Sequence, residues 1–169
     1  MLANMFGPKN RTSNPPEDLR PTLGEAALAK LSGDAAQMVA LQKPWLVGSE
    51  NTASTTRRLL ALLTFCYAAG IYGSQEIESA AQHEPVVRSL CDDSAPNWSV
   101  LWRFRNANRP WIEECLARVY AAVTSETPSG SPENPVNGPA TQSALPPKLV
   151  DFARRKVRQA VLVDSALYE

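Results

Sequence analysis

The chain has 169 residues, of which 44% are hydrophobic, and its 17 basic side chains balance 17 acidic ones. That length suits one domain of about 100–150 residues with flanking segments and excludes two full-sized domains. A formal net charge of zero excludes a uniformly basic surface for nucleic acid, but it leaves room for local basic faces.

The N-terminal part predicts a disordered lead-in followed by helix. Residues 1–21 contain four prolines among polar residues and develop no apolar face. From Thr22 onward, apolar residues recur at helical spacing on both sides of Gly33. They are Leu23, Ala27, Leu31, Met38 and Leu41. We expect one broken helix or two short ones, ended by Pro44.

The most apolar segment predicts the central helix of the core. Ser54 or Thr55 can cap this helix, which runs to about Ala69 with Gly70 at the C′ position. Its apolar residues leave almost no polar face. They are Leu59, Leu60, Leu62, Leu63, Phe65, Cys66 and Tyr67. The longest apolar run, residues 59–72, is shorter than the roughly 20 residues of a membrane span, so we expect a buried helix and no membrane segment.

Further helices are predicted up to residue 123. One begins at Gly73 or Ser74 and ends near His83, and Pro85 begins a short one. After a turn-rich break, residues 97–108 form a helix, and Pro110 opens the last helix of the core. No run of alternating β-branched residues occurs anywhere. The predicted fold class is therefore all-α, a small helical bundle over residues 22–123.

The C-terminal part predicts a linker and an amphipathic helix. Residues 124–147 contain six prolines and predict a flexible linker. In residues 148–169 one side of the predicted helix is apolar and the other basic. The apolar residues are Leu149, Phe152, Ala153, Val157, Ala160, Val161 and Leu167, and the basic ones are Lys148, Arg154, Arg155, Lys156 and Arg158. Asp151 and Arg155 have the spacing of a helical ion pair.

This basic helix has three interpretations. It is a tether to the DNA backbone, a docking or dimerisation helix, or a remnant without a selected role. Docking or dimerisation requires the fewest assumptions, because an apolar stripe left exposed promotes aggregation.

Cysteine and histidine usage predicts neither a disulfide framework nor a metal site. Cys66, Cys91 and Cys115 are odd in number and widely spaced, which is typical of buried free thiols in a reducing compartment. His83 has no cysteine or carboxylate at metal-ligand spacing. The N-terminus lacks the long apolar segment of a secretory signal. We expect a cytoplasmic protein without metal or cofactor.

Ordered motifs between residues 68 and 105 resemble a known family. One motif, G-I-x-S-S-R-x-I-E in the family, corresponds here to Gly70, Ile71, Ser74, Ile77 and Glu78. A short helix follows with Val86, Arg88 and Leu90, and a P-D-x-x-T-I-x-R-F-R helix corresponds to Pro96, Leu101, Arg103, Phe104 and Arg105. Over roughly residues 55–123 the chain resembles the N-terminal domain of DDE transposases of bacterial insertion sequences, the InsH type. The sequence departs from the family at Gly73 and Gln75, where Ser and Arg are usual.

The resemblance implies DNA binding linked to transposition, without strand-transfer chemistry. In the family that chemistry resides in an RNase H-like domain whose three carboxylates surround two divalent metals. The 46 residues after Val123 do not accommodate such a domain, so we expect a truncated or stand-alone DNA-binding domain with no catalytic residues. Asp92 and Asp93 are interpreted as turn residues rather than metal ligands. The alternative function is a helical interaction module, as a homodimer or with a full-length transposase.

Six arginines are the candidate DNA-binding residues, because guanidinium groups contact phosphates and read guanine. They are Arg103, Arg105, Arg109, Arg154, Arg155 and Arg158. The first three lie in residues 97–109, which contain no acid, and the others lie in residues 147–159, where five basic residues face one acid. Arg105 and Arg109 have alternatives, since each can stack on an indole ring or pair with Glu113 or Glu114.

Five other side chains have both structural and functional interpretations. Trp98 and Trp102, four residues apart, are predicted to pack in the core, and the alternative is a platform for base stacking. Glu78 is predicted to anchor an arginine of a neighbouring helix. Arg57 and Arg58 are predicted as solvated residues at the start of the central helix.

Overall fold

The computed structural model describes residues 15–43, 50–125 and 144–167, so Pro44, residues 1–14 and most of the predicted linker lie outside the described residues. Within these ranges the chain forms seven α-helices and no strand, which confirms the predicted all-α bundle. The helices are α1 (Arg20–Leu23), α2 (Glu25–Gln42), α3 (Glu50–Ala68), α4 (Ser74–His83), α5 (Pro85–Leu90), α6 (Trp98–Ser125) and α7 (Pro147–Leu167).

Helix α3 is the centre of the bundle, as predicted. Every residue from Leu59 to Ala69 is buried. At its C-terminus the Ile71 N–H bonds to the Cys66 carbonyl and the Gly70 N–H to the Tyr67 carbonyl, the pair of bonds that defines a Schellman motif. Gly70 has φ +77°, the left-handed conformation that this motif requires. The helix begins at Glu50, before the predicted cap, and the Ser54 hydroxyl instead accepts hydrogen bonds from Arg58.

Helix α2 is continuous through Gly33, and its buried face differs from the predicted one. The buried residues are Leu28, Ser32, Ala35, Ala36, Val39 and Ala40, whereas Met38 is 46% and Leu41 71% exposed. Small side chains allow α2 to lie close against α3 and α6, with the Ser32 hydroxyl bonded to the Leu28 carbonyl. The predicted buried face was wrong because it was based on large apolar residues, whereas four of the six buried residues are alanine or serine.

Helices α4 and α5 have the predicted bounds, and a turn follows them. Asp92 and Asp93 have positive φ values of 49° and 59°, a conformation that aspartate tolerates in turns. Asp92 pairs with Arg58 at 3.3 Å, and Asp93 pairs with Arg88 at 3.2 Å. The carboxylates therefore have the structural role predicted for them.

Helix α6 joins the two predicted helices across a kink. Asn108 has non-helical angles of φ −125° and ψ 23°, two residues before Pro110, which has no backbone N–H to donate. The Asn108 amide donates to the Phe104 carbonyl at 2.9 Å, next to the interrupted turn. At the start of the helix the Asn97 carboxamide oxygen accepts the Val100 N–H at 3.0 Å and so caps the helix.

Helix α7 packs on its own chain through its apolar side. Leu149, Phe152, Ala153, Val157 and Ala160 are buried, and the Phe152 ring meets the Tyr120 ring of α6 edge to face. Of the three interpretations of this helix, docking fits the apolar side, which packs against the core of its own chain. The helix joins the same core as the rest of the bundle instead of forming a separate unit.

Three smaller expectations about the ends of the chain were wrong. Leu167 is exposed and not part of the apolar side of α7, and Asp151 pairs with Arg154 rather than with Arg155. Leu19, which lies in the predicted lead-in, is fully buried, and its N–H donates to the Ala68 carbonyl at 3.0 Å. Leu19 is a single apolar residue and therefore forms no periodic pattern, so nothing in the sequence indicated that it is buried.

None of the helices in the described ranges is long and apolar enough to span a membrane.

Candidate nucleic-acid interface

Arg105, a predicted DNA contact, is buried. Only 1% of its side chain is exposed, and its Nη1 lies 2.6 Å from an oxygen of the Asp164 carboxylate, which is equally buried. A guanidinium in this position cannot reach a phosphate on the surface, so the prediction for Arg105 was wrong. Its partner lies on α7, far away in sequence, and the local absence of acids in residues 97–109 did not reveal it.

Asp164 also caps helix α4. One carboxylate oxygen accepts the Ser74 N–H at 2.8 Å, and the other accepts the Ser74 hydroxyl. A carboxylate at a helix N-terminus is stabilised both by the free N–H groups and by the helix dipole. Ser74 and Arg105, which both belong to the motifs of the resemblance, thus meet at one residue of α7.

Lys156 is the second basic residue that the fold buries. Its ammonium group donates to the Glu17 carbonyl at 2.7 Å, the Tyr67 carbonyl at 3.2 Å and the Tyr72 hydroxyl at 2.8 Å. Burial lowers the pKa of Lys156 to about 8, although the negative charge of Glu17 opposes this change. The expectation that Lys156 belongs to the basic side of α7 was wrong, because the ammonium group ties α7 to α3 and to the N-terminal segment.

The other five candidate arginines are exposed. On α6, Arg103 donates to the Ser99 carbonyl at 3.3 Å and Arg109 donates to the Asn106 carboxamide at 3.0 Å. On α7, Arg154 lies 3.6 Å from Glu113 and 3.4 Å from Asp151, and the Arg155 guanidinium lies 5.7 Å from the Phe152 ring centre. Neither the indole stacking nor the glutamate pairing considered for Arg105 and Arg109 is among these contacts.

Helices α6 and α7, which carry the two arginine clusters, contact each other in antiparallel register. Arg105 faces Asp164 at one end of the contact, and Glu113 faces Arg154 further along. In sequence, Arg109 lies midway between Arg105 and Glu113 on α6, and Arg158 lies between Arg154 and Asp164 on α7. We call Arg109, Arg154 and Arg158 the arginine row.

Trp98 and Trp102 lie at the surface and not in the core. They are 36% and 42% exposed, and Leu101 and Arg105 occupy the buried face of this arm of α6. Glu78 accepts the Trp98 backbone N–H at 2.9 Å, so its carboxylate caps α6 instead of anchoring an arginine. The core prediction for the tryptophans was wrong because it assigned every large apolar residue of this arm to one face.

Candidate metal ligands do not converge within the described residues. No group of three histidine, cysteine or acidic side chains there is placed to hold a metal ion. The three cysteines are free and buried, and burial raises the thiol pKa of Cys91 to about 11 and that of Cys115 to about 12. His83 places its Nδ1 2.8 Å from the Ser79 carbonyl within its own helix.

Comparison of the chain with protein-family models, curated proteins and solved structures finds no match.

Proposed function

We propose that this chain is a DNA-binding helical module without strand-transfer chemistry, of the kind represented by the N-terminal domain of insertion-sequence transposases. The observation that carries the proposal is the set of five exposed arginines on α6 and α7, two helices that contact each other through Arg154 and Glu113. The motif resemblance over residues 55–123 supports the same function.

The arginine row suits contact with phosphates more than base recognition. Guanidinium groups on neighbouring turns of two helices match the repeated negative charges of a nucleic-acid backbone. Arg154 already pairs with Glu113 and Asp151, so part of its charge is neutralised. We therefore expect only about three phosphate contacts and a logarithmic salt dependence of binding with a slope near −3.

The first prediction concerns the arginine row in duplex DNA binding. Exchanging Arg109 and Arg158 for glutamine removes one exposed charge from α6 and one from α7 without disturbing a buried contact. The salt slope should become less steep by about 2, and affinity at low salt should fall about uniformly across random sequences and element ends. A mobility-shift titration at several salt concentrations measures both quantities.

The matched control for this experiment is Lys30→Gln. Lys30 is an exposed cation on α2 that pairs with Asp34 of the same helix at 2.8 Å. Its loss changes the net charge by half as much as the double variant and should leave the salt slope unchanged. Absence of any shift at low salt with the unaltered chain would overturn the proposal.

A helical interaction module is the second candidate function, and one observation favours it. Met38 and Leu41 are large apolar side chains exposed on α2. The apolar side of α7, which originally suggested dimerisation, is occupied by the core of its own chain. A homodimer or a complex with a full-length transposase would therefore use the α2 surface, and sedimentation of the unaltered chain beside Leu41→Ser tests for the homodimer.

A further inference from the structure

Residues 16–19 lie in a groove between α3, the loop before α4, α6 and α7. Leu19 is fully buried there, and its N–H donates to the Ala68 carbonyl at the end of α3 at 3.0 Å. The segment precedes α1, so it contacts the core as a peptide without helical structure of its own. We call the surface formed by Ala68, Tyr72, Tyr120 and Lys156 the N-terminal groove.

Three side chains of the groove donate hydrogen bonds to Pro16 and Glu17. The Tyr120 hydroxyl donates to the Pro16 carbonyl at 3.4 Å, and the Lys156 ammonium donates to the Glu17 carbonyl at 2.7 Å. The Tyr72 hydroxyl donates to the Glu17 carboxylate at 3.4 Å and accepts from Lys156 at 2.8 Å. At most 7% of any of these three donors is exposed, so the bonds form inside the protein and not at its surface.

The ammonium group of the groove is also held by contacts that do not involve the segment. Lys156 donates to the Tyr67 carbonyl at 3.2 Å, and its Nζ lies 5.5 Å from the centre of the Phe152 ring. A cation close to an aromatic face is stabilised by the electrons of the ring. These contacts fix the donor in position, so the groove is pre-organised for a ligand.

We infer that the N-terminal groove binds a linear peptide of a partner protein in which glutamate precedes leucine by two residues, and that residues 16–19 occupy the groove as an internal competitor. Bonds to backbone carbonyls provide affinity for an unfolded segment, whereas the slot of Leu19 and the partner of Glu17 provide selectivity. An acidic peptide is favoured because its charge complements the buried ammonium group. The inference goes beyond the proposed function and does not depend on it.

The internal segment has a hinge at which it can leave the groove. Gly24 follows the four-residue helix α1 with φ +81° and ψ 154°, a conformation that glycine adopts without strain. Rotation at Gly24 would move residues 15–23 away while α2 keeps its place. A tethered segment competes at an effective concentration in the millimolar range, so a free peptide binds in proportion to the fraction of chains whose groove is open.

The test titrates the full chain into a fluorescently labelled synthetic peptide of residues 15–23 and follows fluorescence anisotropy. Leu19→Asp in the full chain places a charge in an apolar slot and displaces the internal segment. This variant should therefore bind the peptide at least about tenfold more tightly than the unaltered chain does. A peptide carrying Leu19→Asp should not bind the variant, and one carrying Glu17→Gln should bind about fivefold more weakly, because an amide does not neutralise the ammonium group.

Leu41→Asp is the matched control, because it makes the same exchange at a leucine of α2 that is 71% exposed. It should bind the peptide no more tightly than the unaltered chain. Equal affinities of the Leu19→Asp and Leu41→Asp variants would overturn the inference. A dimer of the unaltered chain that Leu19→Asp abolishes in sedimentation would overturn the partner peptide in favour of exchange of residues 16–19 between two copies.

Amide hydrogen exchange tests the groove in the unaltered chain, so its result does not depend on whether Leu19→Asp folds. In a nitrogen-15-labelled chain the Leu19 N–H should exchange at least about tenfold faster than that of Leu62 in the core, because the segment opens without global unfolding. Unlabelled peptide at millimolar concentration should accelerate exchange at Leu19 and not at Leu62, since it keeps the internal segment out of the groove. Exchange at Leu19 that the peptide does not accelerate would overturn the inference.

Discussion

Arg105 and Asp164 illustrate how one buried contact gives a charged residue a structural role instead of a ligand-binding one. The pair is almost completely buried, and Asp164 is also bonded to Ser74 at the start of α4. Removing one partner of a buried pair leaves an uncompensated charge, whereas removing both charges avoids that penalty. The pair therefore fixes how α7 sits on α6 and α4, and it is not available for a ligand.

A double-mutant cycle on this pair is the prediction at the scale of residues. Arg105→Met should lower the free energy of unfolding by about 3 kcal/mol, because the Asp164 carboxylate stays buried without its cation. Asp164→Asn should also lower the free energy of unfolding, because the Arg105 guanidinium then stays buried without its anion. The double variant should lose less than the sum of the two by about 1–3 kcal/mol, as measured by urea unfolding.

The exposed pair of Arg154 with Glu113 provides the comparison for that cycle. More than half of the Arg154 side chain is open to solvent, so Arg154→Met should cost less than about 1 kcal/mol. Additive effects of the Arg105 and Asp164 exchanges, within about 0.5 kcal/mol, would contradict the coupling.

At the scale of elements, two glycines differ in role, because one ends a helix and the other lies inside a continuous helix. Gly70 ends α3 with φ +77°, and an added Cβ there would meet nothing closer than the Glu17 carbonyl oxygen at 3.8 Å. Gly33 lies within α2, where an added Cβ would meet no atom within 4 Å. Space is therefore available at both positions, and only the backbone conformation distinguishes them.

Alanine at each position should change stability in opposite directions. Gly70→Ala should lower the free energy of unfolding by about 1 kcal/mol, because a side chain strains the left-handed conformation. Gly33→Ala should raise it by about 0.5–1 kcal/mol, because alanine restricts the unfolded chain and favours helix. Urea unfolding of the two variants measures both effects. A stabilising Gly70→Ala would contradict the role assigned to the Schellman motif.

The sequence predicted most helices well, and it failed where contacts are distant in the chain. Helices α4 and α5 begin and end as expected because prolines and capping residues act locally. Arg105 and Lys156 were assigned to the surface because their partners are distant in sequence: Asp164 lies on α7, and Tyr72 lies in the loop between α3 and α4. Trp98 and Trp102 were assigned to the core because hydrophobicity does not show which side of a helix its neighbours leave open.

At the scale of the whole molecule, the buried titratable groups predict how stability depends on pH. Burial raises the pKa of Tyr72 and Cys115 to about 12 and that of Cys91 to about 11, and it also raises the pKa values of Cys66, Tyr67 and Tyr120. These groups keep their protons in the folded state at pH values where the unfolded chain, with pKa values of 9.0 for thiols and 10.0 for phenols, has lost them. Their contribution to stability is therefore complete below about pH 9 and is lost as the pH rises through the folded values.

Lys156 changes the pH dependence of stability in the opposite direction from the thiols and phenols. The last prediction combines these two effects. The folded pKa of Lys156, about 8, lies below the unfolded value of 10.5, so between these values the unfolded chain binds more protons and stability rises with pH. The free energy of unfolding should pass through a shallow maximum between about pH 8 and 9 and then fall steeply, because several thiols and phenols outweigh one ammonium group. Urea unfolding from pH 7 to 11 measures the curve. In Lys156→Met the rise below the maximum should disappear and the steep fall should remain, whereas the same maximum in the variant would show that this buried ammonium group does not cause it.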